Sequence, residues 1–345
     1  MKRSELRNTL ELTAMALADS NLVPVFQCFC FSKDEVKAYN DKIGIIAQCP
    51  LTDEFVVNGK ILLGWLKNNS ADNLEFKLTD QDVTIKADRS TFKLPFLPVE
   101  DFIFEEPDAN GMTSEPLTED FLDGLRACLT TTSKDQSQPA LMGISFVNRS
   151  TLFGCDGDAV TKFSLDSKPE ADEIYFLSND FCSTVLHISK TTECVEGTLA
   201  LSNEWAVVDF NNGYSIYGRL IQNDNPIDFE NLITKTVKGK PTFVPVPAGL
   251  DDALLRSMVI TNIETVPTVF TVEANRLKLL TDARSGTVRD SLAIGKHPEV
   301  QASFSAEMVK RTIALCDEIC IMENCLVGRK GDKLFQVVST MDTGK

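Results

Sequence analysis

One pattern constrains this chain more than any other: three short strands separated by two tight turns occur three times, each time directly after a short amphipathic helix. The first copy spans residues 74–94, with turns at 79–82 and 88–90; the second spans 198–217, with turns at 202–204 and 211–213; the third spans 318–338, with turns at 323–324 and 328–332. Within the first copy apolar and polar residues alternate with the period of two expected of half-buried strands. The preceding helices are expected at 58–68, 179–190 and 305–317. Ile61, Leu62, Trp65 and Leu66 share one face of the first, and Met308, Val309, Thr312, Ile313 and Cys316 one face of the third.

A second helix opens each copy, at 4–18, 118–131 and 250–261. The paired helices therefore start at 4 and 58, 118 and 179, and 250 and 305, offsets of 54, 61 and 55. Strand-like stretches lie between them at 26–31, 43–48, 141–148, 151–155, 268–273 and 276–280. Helix, strands, helix and three strands read as an antiparallel α+β unit. Three such units are expected, at 1–107, 115–234 and 245–345. A chain of 345 residues exceeds what one ordinary core organises. The stretch 105–114 is acidic and turn-rich, and 235–247 carries Pro241, Pro245 and Pro247, so both are expected as linkers.

Composition narrows the function. Against 34 Lys and Arg stand 50 Asp and Glu, a formal charge of −16, so the whole surface does not coat nucleic acid. Any contact with DNA comes from a local basic strip or from enclosure. The start Met1-Lys2-Arg3 is followed by Glu5, Arg7 and Glu11 rather than an apolar run, and no segment is apolar enough to span a bilayer; the expectation is a cytoplasmic protein without membrane contact. The ten cysteines are scattered and are expected as reduced, packed thiols. Cys28 and Cys30 alternate onto one face of a strand, and Cys316, Cys320 and Cys325 lack a second cluster for zinc.

Catalytic patterns are sparse. The only histidines, His187 and His297, form no metal motif, and no phosphate loop, dinucleotide fingerprint or nucleophile elbow is present. Asp80 with Asp82 and Asp156 with Asp158 are carboxylate pairs, but turn residues explain them more simply than a metal does. No cofactor, metal or enzymatic activity is expected. A hydrolase or nuclease built on the Asp pairs would lack a base and a nucleophile.

Three stretches carry a resemblance. Residues 87–102 end in Leu97-Pro-Val-Glu-Asp-Phe102, Gly154-Cys-Asp-Gly-Asp-Ala-Val160 holds an Asp-Gly pair, and Asn225-Pro-Ile-Asp-Phe229 follows the second meander. Together with the threefold repeat they resemble the bacterial β-type DNA sliding clamp, over nearly the whole chain at low identity. The resemblance implies a processivity factor: two chains joined head to tail in a ring, helices lining the hole, encircling duplex DNA without reading its sequence and tethering a polymerase and a clamp loader through short linear peptides.

By position the resemblance places DNA-facing cations at Arg3, Arg7, Lys60, Lys67, Arg126, Lys190, Arg256, Lys310 and Arg311. It places the homodimer interface at Phe92 and Leu94 against Val259 and Ile260. The partner-peptide pocket falls at Leu141, Cys155, Gly157, Val160, Pro226, Leu232, Val337 and Met341. Asp158-Ala159 stands where the family has His-Arg, and residues 339–345 replace its Met-Pro-Met ending. Those departures point to a dedicated partner peptide, as a virus-encoded clamp would have. The alternative is a clamp-fold scaffold for transcription or repair that forms no stable ring.

Overall fold

The helices form where apolar residues recur with the helical period. In the computed structural model, which describes residues 1–20, 23–108, 111–135, 137–168, 172–223 and 225–341, the chain folds into two compact units. The first comprises residues 1–119 and 180–220. Its α1 (Arg3–Thr13) buries Leu6, Leu10, Leu12 and Thr13. Helix α2 (Gly59–Lys67) starts where the Asn58 side chain accepts the Ile61 N–H at 3.0 Å, satisfying an otherwise unpaired amide. Helix α4 (Asn179–Thr192) buries Phe181, Cys182, Val185 and Ile188.

An eight-stranded antiparallel sheet carries this unit. It contains β1 (Cys28–Ser32), β2 (Glu35–Tyr39), β3 (Ile43–Gln48), β4 (Phe55–Asn58), β8 (Thr113–Leu117), β13 (Gly197–Leu201), β14 (Trp205–Phe210) and β15 (Tyr214–Arg219), in the order β4-β1-β2-β3-β15-β14-β13-β8. The β3 and β15 ladder, with Ile45 opposite Ile216, joins the first expected repeat to the second meander in one sheet. A second sheet holds β5 (Glu75–Leu78), β6 (Asp82–Ala87) and β7 (Ser90–Pro95) in that order, leaving β7 at an edge. Over the large sheet Phe104 stacks on Tyr39 at 4.7 Å and packs edge-on against Trp205 and Tyr217. Gly44 makes room for it: a Cβ there would stand 2.7 Å from the Phe104 ring.

Residues 120–179 and 221–341 form the second unit. Its eight-stranded sheet contains β9 (Gly143–Val147), β10 (Thr151–Cys155), β11 (Ala159–Ser164), β12 (Ile174–Ser178), β16 (Val244–Pro245), β21 (Glu318–Ile321), β22 (Cys325–Lys330) and β23 (Leu334–Ser339), in the order β12-β9-β10-β11-β23-β22-β21-β16. A four-stranded sheet runs β19 (Gly286–Ala293), β18 (Arg276–Ala283), β17 (Thr268–Glu273), β20 (Val300–Phe304). The helices are α3 (Glu119–Cys128), α5 (Phe229–Thr236), α6 (Leu250–Thr261) and α7 (Ala306–Ile313). Packing of α6 and α7 on the sheets buries Leu250, Leu254, Phe270, Leu277, Phe304, Val309 and Ile319 in one cluster. Antiparallel sheets with helices outside them make the α+β class plain.

Several boundaries differ from expectation for local reasons. The strand expected from residue 26 begins at Cys28, because Pro24–Gln27 forms a 3-10 turn led by proline. The opening helix stops at Thr13 and continues as a 3-10 turn over Ala14–Ala16. Helix α7 ends at Ile313, four residues early, where the backbone tightens and the Leu315 N–H bonds the Thr312 carbonyl. Gly328, expected in a turn, pairs with Gln336 inside the β22–β23 ladder, and the turn sits around Gly331, whose φ of 55° suits glycine. The 235–247 linker is partly structured: α5 reaches Thr236, and Val244 pairs with Ile319. Strand β8 starts within the 105–114 linker, whose residues 109 and 110 lie outside the described residues, as do 342–345 of the C-terminal segment.

Candidate functional site

The helix cations come first, because local charge decides whether a −16 chain can approach phosphate. In the first unit, Glu11 of α1 takes both Arg7 (3.0 Å) and Lys67 (3.5 Å), tying α1 to α2. Lys60 pairs with Asp19 at 3.3 Å. Arg3 is turned inward to the end of α2, its Nε donating to the Ala71 carbonyl (2.8 Å) and its Nη1 to the Leu66 carbonyl (3.2 Å). Lys190 is exposed, and no carboxylate among the described residues pairs with it. In the second unit, Lys310 of α7 reaches Asp251 of α6 at 2.9 Å, a cross-helix pair like Lys67–Glu11. Arg126 pairs with Asp123 and Arg311 with Glu307, one helical turn apart in each case. Arg256 makes a two-pronged contact with Asp290 of β19, at 2.6 and 3.2 Å, which points it toward that strand. Seven of the nine candidate cations are therefore held by carboxylates; those of Asp19, Asp123, Asp251 and Glu307 are exposed, and such pairs exchange readily in water.

The four expected interface residues divide by burial. On β7, Phe92 is half-buried and stacks on Trp65 of α2 at 5.0 Å and 7°, whereas Leu94 is in the core. On α6, Val259 is 66% exposed and Ile260 is buried. Neither the neighbours of Phe92 nor those of Val259 had been singled out as interface residues. Ile61 is exposed one turn before Trp65, so α2 presents an apolar face beside edge strand β7. Leu255 and Val259 are exposed at i and i+4 on the helix whose Arg256 holds edge strand β19, and Ile263 is exposed two residues past the end of that helix. That spacing is readable in the sequence once one asks what lies outside the core face.

Each unit thus offers an edge strand with free backbone groups and an apolar helix face beside it. Edge strands of this kind are templates for pairing with another chain.

Of the pocket residues, Cys155, Val160 and Val337 are buried in one cluster with Phe153, Phe229, Ile233, Cys320, Cys325 and Val327, and Leu141 packs against it. Leu232 and Pro226 are exposed, and Met341 is half-buried with its N–H on the Ser303 carbonyl (2.8 Å). Phe229 and Ile233 were missed as pocket neighbours. They belong to α5, which Asp228 caps by accepting the Asn231 N–H at 3.0 Å. Gly157 sits exposed at φ +99°, in a turn closed by Asp156, whose Oδ1 accepts the N–H groups of Asp158 (3.0 Å) and Ala159 (2.8 Å). A cleft of about 550 Å³ opens beside this turn, lined by Leu129, Thr130, Lys134, Asp135, Asp156, Asp158 and Arg311 among others. Burial pushes the Asp156 carboxyl above its ordinary range.

The groups that could have suggested chemistry have structural roles. His297 is buried; its Nε2 accepts the Ile321 N–H at 3.0 Å and its Nδ1 donates to the Pro298 carbonyl at 2.8 Å, so both nitrogens are used. Asp82 and Thr79 close the β5–β6 turn through the Thr79 hydroxyl, which donates to the Asp82 carbonyl at 2.9 Å. Cys28 and Cys30 lie in one apolar cluster, as alternation predicts. Burial raises the thiols of Cys30, Cys49 and Cys325 to about 11 and that of Cys316 to about 12. Among the described residues no His, Cys, Asp and Glu group of three or more is placed to hold a metal, and no helix is long and apolar enough to cross a membrane.

Recurring helix pairs on antiparallel sheets, cross-helix ion pairs and edge strands flanked by apolar helix faces define a clamp-type fold. Solved structures similar to it include replication clamps. The beta subunit of DNA polymerase III from Thermotoga maritima matches with a TM-score of 0.85 at 18% identity, covering 99% of this chain and 98% of that one. A sliding clamp from Bartonella birtlesii, a DNA polymerase III subunit beta bound to griselimycin, gives 0.87 at 16% identity over 99% and 98%. The beta subunit from the DNA polymerase of Streptococcus pyogenes gives 0.86 at 15% over 99% of both. At such identities the likeness establishes the fold. No family model matches the chain, and no curated protein is similar to it at significance.

Proposed function

We propose that this chain is a DNA sliding clamp: two copies join head to tail in a ring that surrounds duplex DNA and tethers a polymerase, a clamp loader and other partners, with no catalysis of its own. The observation that carries the reading is the end-to-end likeness to the Thermotoga, Bartonella and Streptococcus proteins, which spans 99% of this chain and 98–99% of each of those. On this reading the chain divides into three repeats, 1–107, 115–234 and 245–345, and works in the cytoplasm.

Local features support the reading. The β7 edge with Ile61, Trp65 and Phe92 is one half of the ring contact; the β19 edge with Leu255, Val259 and Ile263 is the other. Because the two halves differ, the contact is heterologous, and such contacts make rings when the rotation closes. Leu94 and Ile260 support these surfaces from the core. Arg7, Lys60, Lys67, Arg126, Lys310 and Arg311 meet phosphates by leaving or sharing their carboxylates, and Lys190 meets them with none among the described residues to leave, which gives weak, sequence-blind contact suited to sliding. Topology, not affinity, holds the DNA, so a net charge of −16 is no obstacle. The cluster around Cys155, Val160 and Val337, with Leu141, Leu232, Pro226, Gly157 and Met341 at its margin, receives partner peptides.

Gel filtration on a nicked circular plasmid tests the proposal. A topological ring stays with the circle at 0.5 M salt and leaves when a restriction enzyme linearises it, whereas electrostatic binding is lost in salt on both forms. Salt-sensitive binding unaffected by linearisation sinks the ring and favours a clamp-fold scaffold.

A further inference from the structure

We infer that the peptide this clamp takes carries a lysine or arginine next to its apolar anchor, because the margin of the peptide cluster is a carboxylate-lined cleft. The inference rests on the peptide-binding reading above and specifies the chemistry of the partner. The chain runs from Cys155 to Val160, both inside the apolar cluster, through Asp156, Gly157 and Asp158, so these carboxylates stand at the cluster's edge. From the other side the segment 129–135 lines the same cleft, and the Ser133 N–H bonds the carbonyl of Leu141, which packs against the cluster. A polar cleft thus borders the buried apolar cluster, with Leu141 and the exposed Leu232 at the cluster's margin.

The charges of the cleft are not balanced. Asp135, Asp156 and Asp158 face Lys134 and Arg311, and Arg311 already has its Nη2 on Glu307. The carboxylates differ in availability. Asp156 is tied to its own turn, and Asp135 accepts the Ser137 N–H at 2.8 Å. Asp158 is exposed and contributes only backbone groups to the hydrogen bonds it makes here, its N–H to Asp156 and its carbonyl to the Ser339 N–H at 2.8 Å. Its carboxylate is free to meet a ligand. A cationic side chain one or two residues from the apolar anchor would reach Asp158 and neutralise the cleft. An acidic side chain there would meet uncompensated repulsion, which discriminates between partners more than it adds affinity.

The test uses three fluorescein-labelled ten-residue peptides with one shared apolar anchor of two leucines and a phenylalanine, flanked by two lysines, two serines or two glutamates. Anisotropy titrations of the full chain at 50 mM salt should rank lysine over serine over glutamate, with roughly tenfold between the extremes, and 500 mM salt should compress the ranking. Asp158→Asn should narrow the gap to about threefold, and Asp158→Lys should invert it. Equal affinity for all three, or a gap untouched by both Asp158 variants, overturns the inference while leaving the peptide site standing. Failure of every peptide to bind overturns the peptide site and the inference with it.

Discussion

Arg3 offers the sharpest separation between a residue that holds the fold and one that touches DNA. Position alone put it among the DNA-facing cations, but its guanidinium donates to the carbonyl of Leu66 in the last turn of α2 at 3.2 Å and to that of Ala71 in the segment after the helix at 2.8 Å. The last carbonyls of a helix lack intrahelical partners and lie at the negative end of its dipole, so a cation there is favoured. Hydrogen bonds from a charged donor contribute ~1.5–3 kcal/mol each. Arg3 is half-exposed, and water replaces part of what is lost, so about 1 kcal/mol per bond is a fair discount. Arg3→Ala should therefore cost about 2 kcal/mol, about thirtyfold in the ratio of folded to unfolded protein. Both tryptophans, Trp65 and Trp205, lie in the first unit, so tryptophan fluorescence in a urea titration reports that unit alone. Lys67→Ala, which loses only exposed pairing with Glu11, should stay within about 0.5 kcal/mol of the parent. If Arg3→Ala unfolds at the parent's urea concentration while plasmid retention falls, Arg3 is a phosphate ligand and the reasoning is wrong.

Other outcomes follow from burial and charge. Burial raises the Asp156 pKa in the fold, so the ionised carboxylate is disfavoured there; its contribution is fully present below the unfolded pKa and lost as pH rises through the folded one. Asp156→Asn keeps the turn's acceptor oxygen and should be at least as stable as the parent at pH 7, with the advantage fading toward pH ~3. A parent that is the more stable at pH 7 in paired urea titrations contradicts this. Of the ten cysteines nine are buried and Cys194 is half-exposed, so a thiol reagent at pH 8 should modify one site quickly in the native protein and all ten after denaturation. Rapid native labelling of three or more thiols would refute the packing described. His297→Leu strands the buried Ile321 N–H and should cost about 1–3 kcal/mol, read as a lowered denaturation midpoint.

The sequence revealed those parts whose signals are local. Leu250–Thr261 appears where spacing placed it and Gly59–Lys67 where spacing and its Asn58 cap did, and all three meanders form at the expected positions. Short strands such as β2 and β12 went unseen because four or five residues show too little alternation, and β2 is best marked by Lys33 and Asp34, whose positive φ values are apparent only in the fold. Helix α5 was hidden because Asn225-Pro-Ile-Asp-Phe229 looked like an exit, although Asp228 was its cap. At the candidate site, residue positions could be guessed but their company could not. The carboxylates beside Lys60, Arg256 and Lys310 are 41, 34 and 59 residues away in the chain. The exposed pair Leu255 and Val259 was legible, since apolar residues on the outer face of an amphipathic helix have no core to fill.

The ring itself is tested most directly by the solution mass from light scattering across a concentration series, for the parent, Phe92→Asp and Val259→Asp. Val259 is the cleaner probe, because at 66% exposure it gives the single chain little packing to lose. The account predicts a parent at twice the 38.1 kDa chain mass and both variants at the single-chain mass. A parent that stays at 38.1 kDa at tens of micromolar, or variants that remain paired, would contradict it.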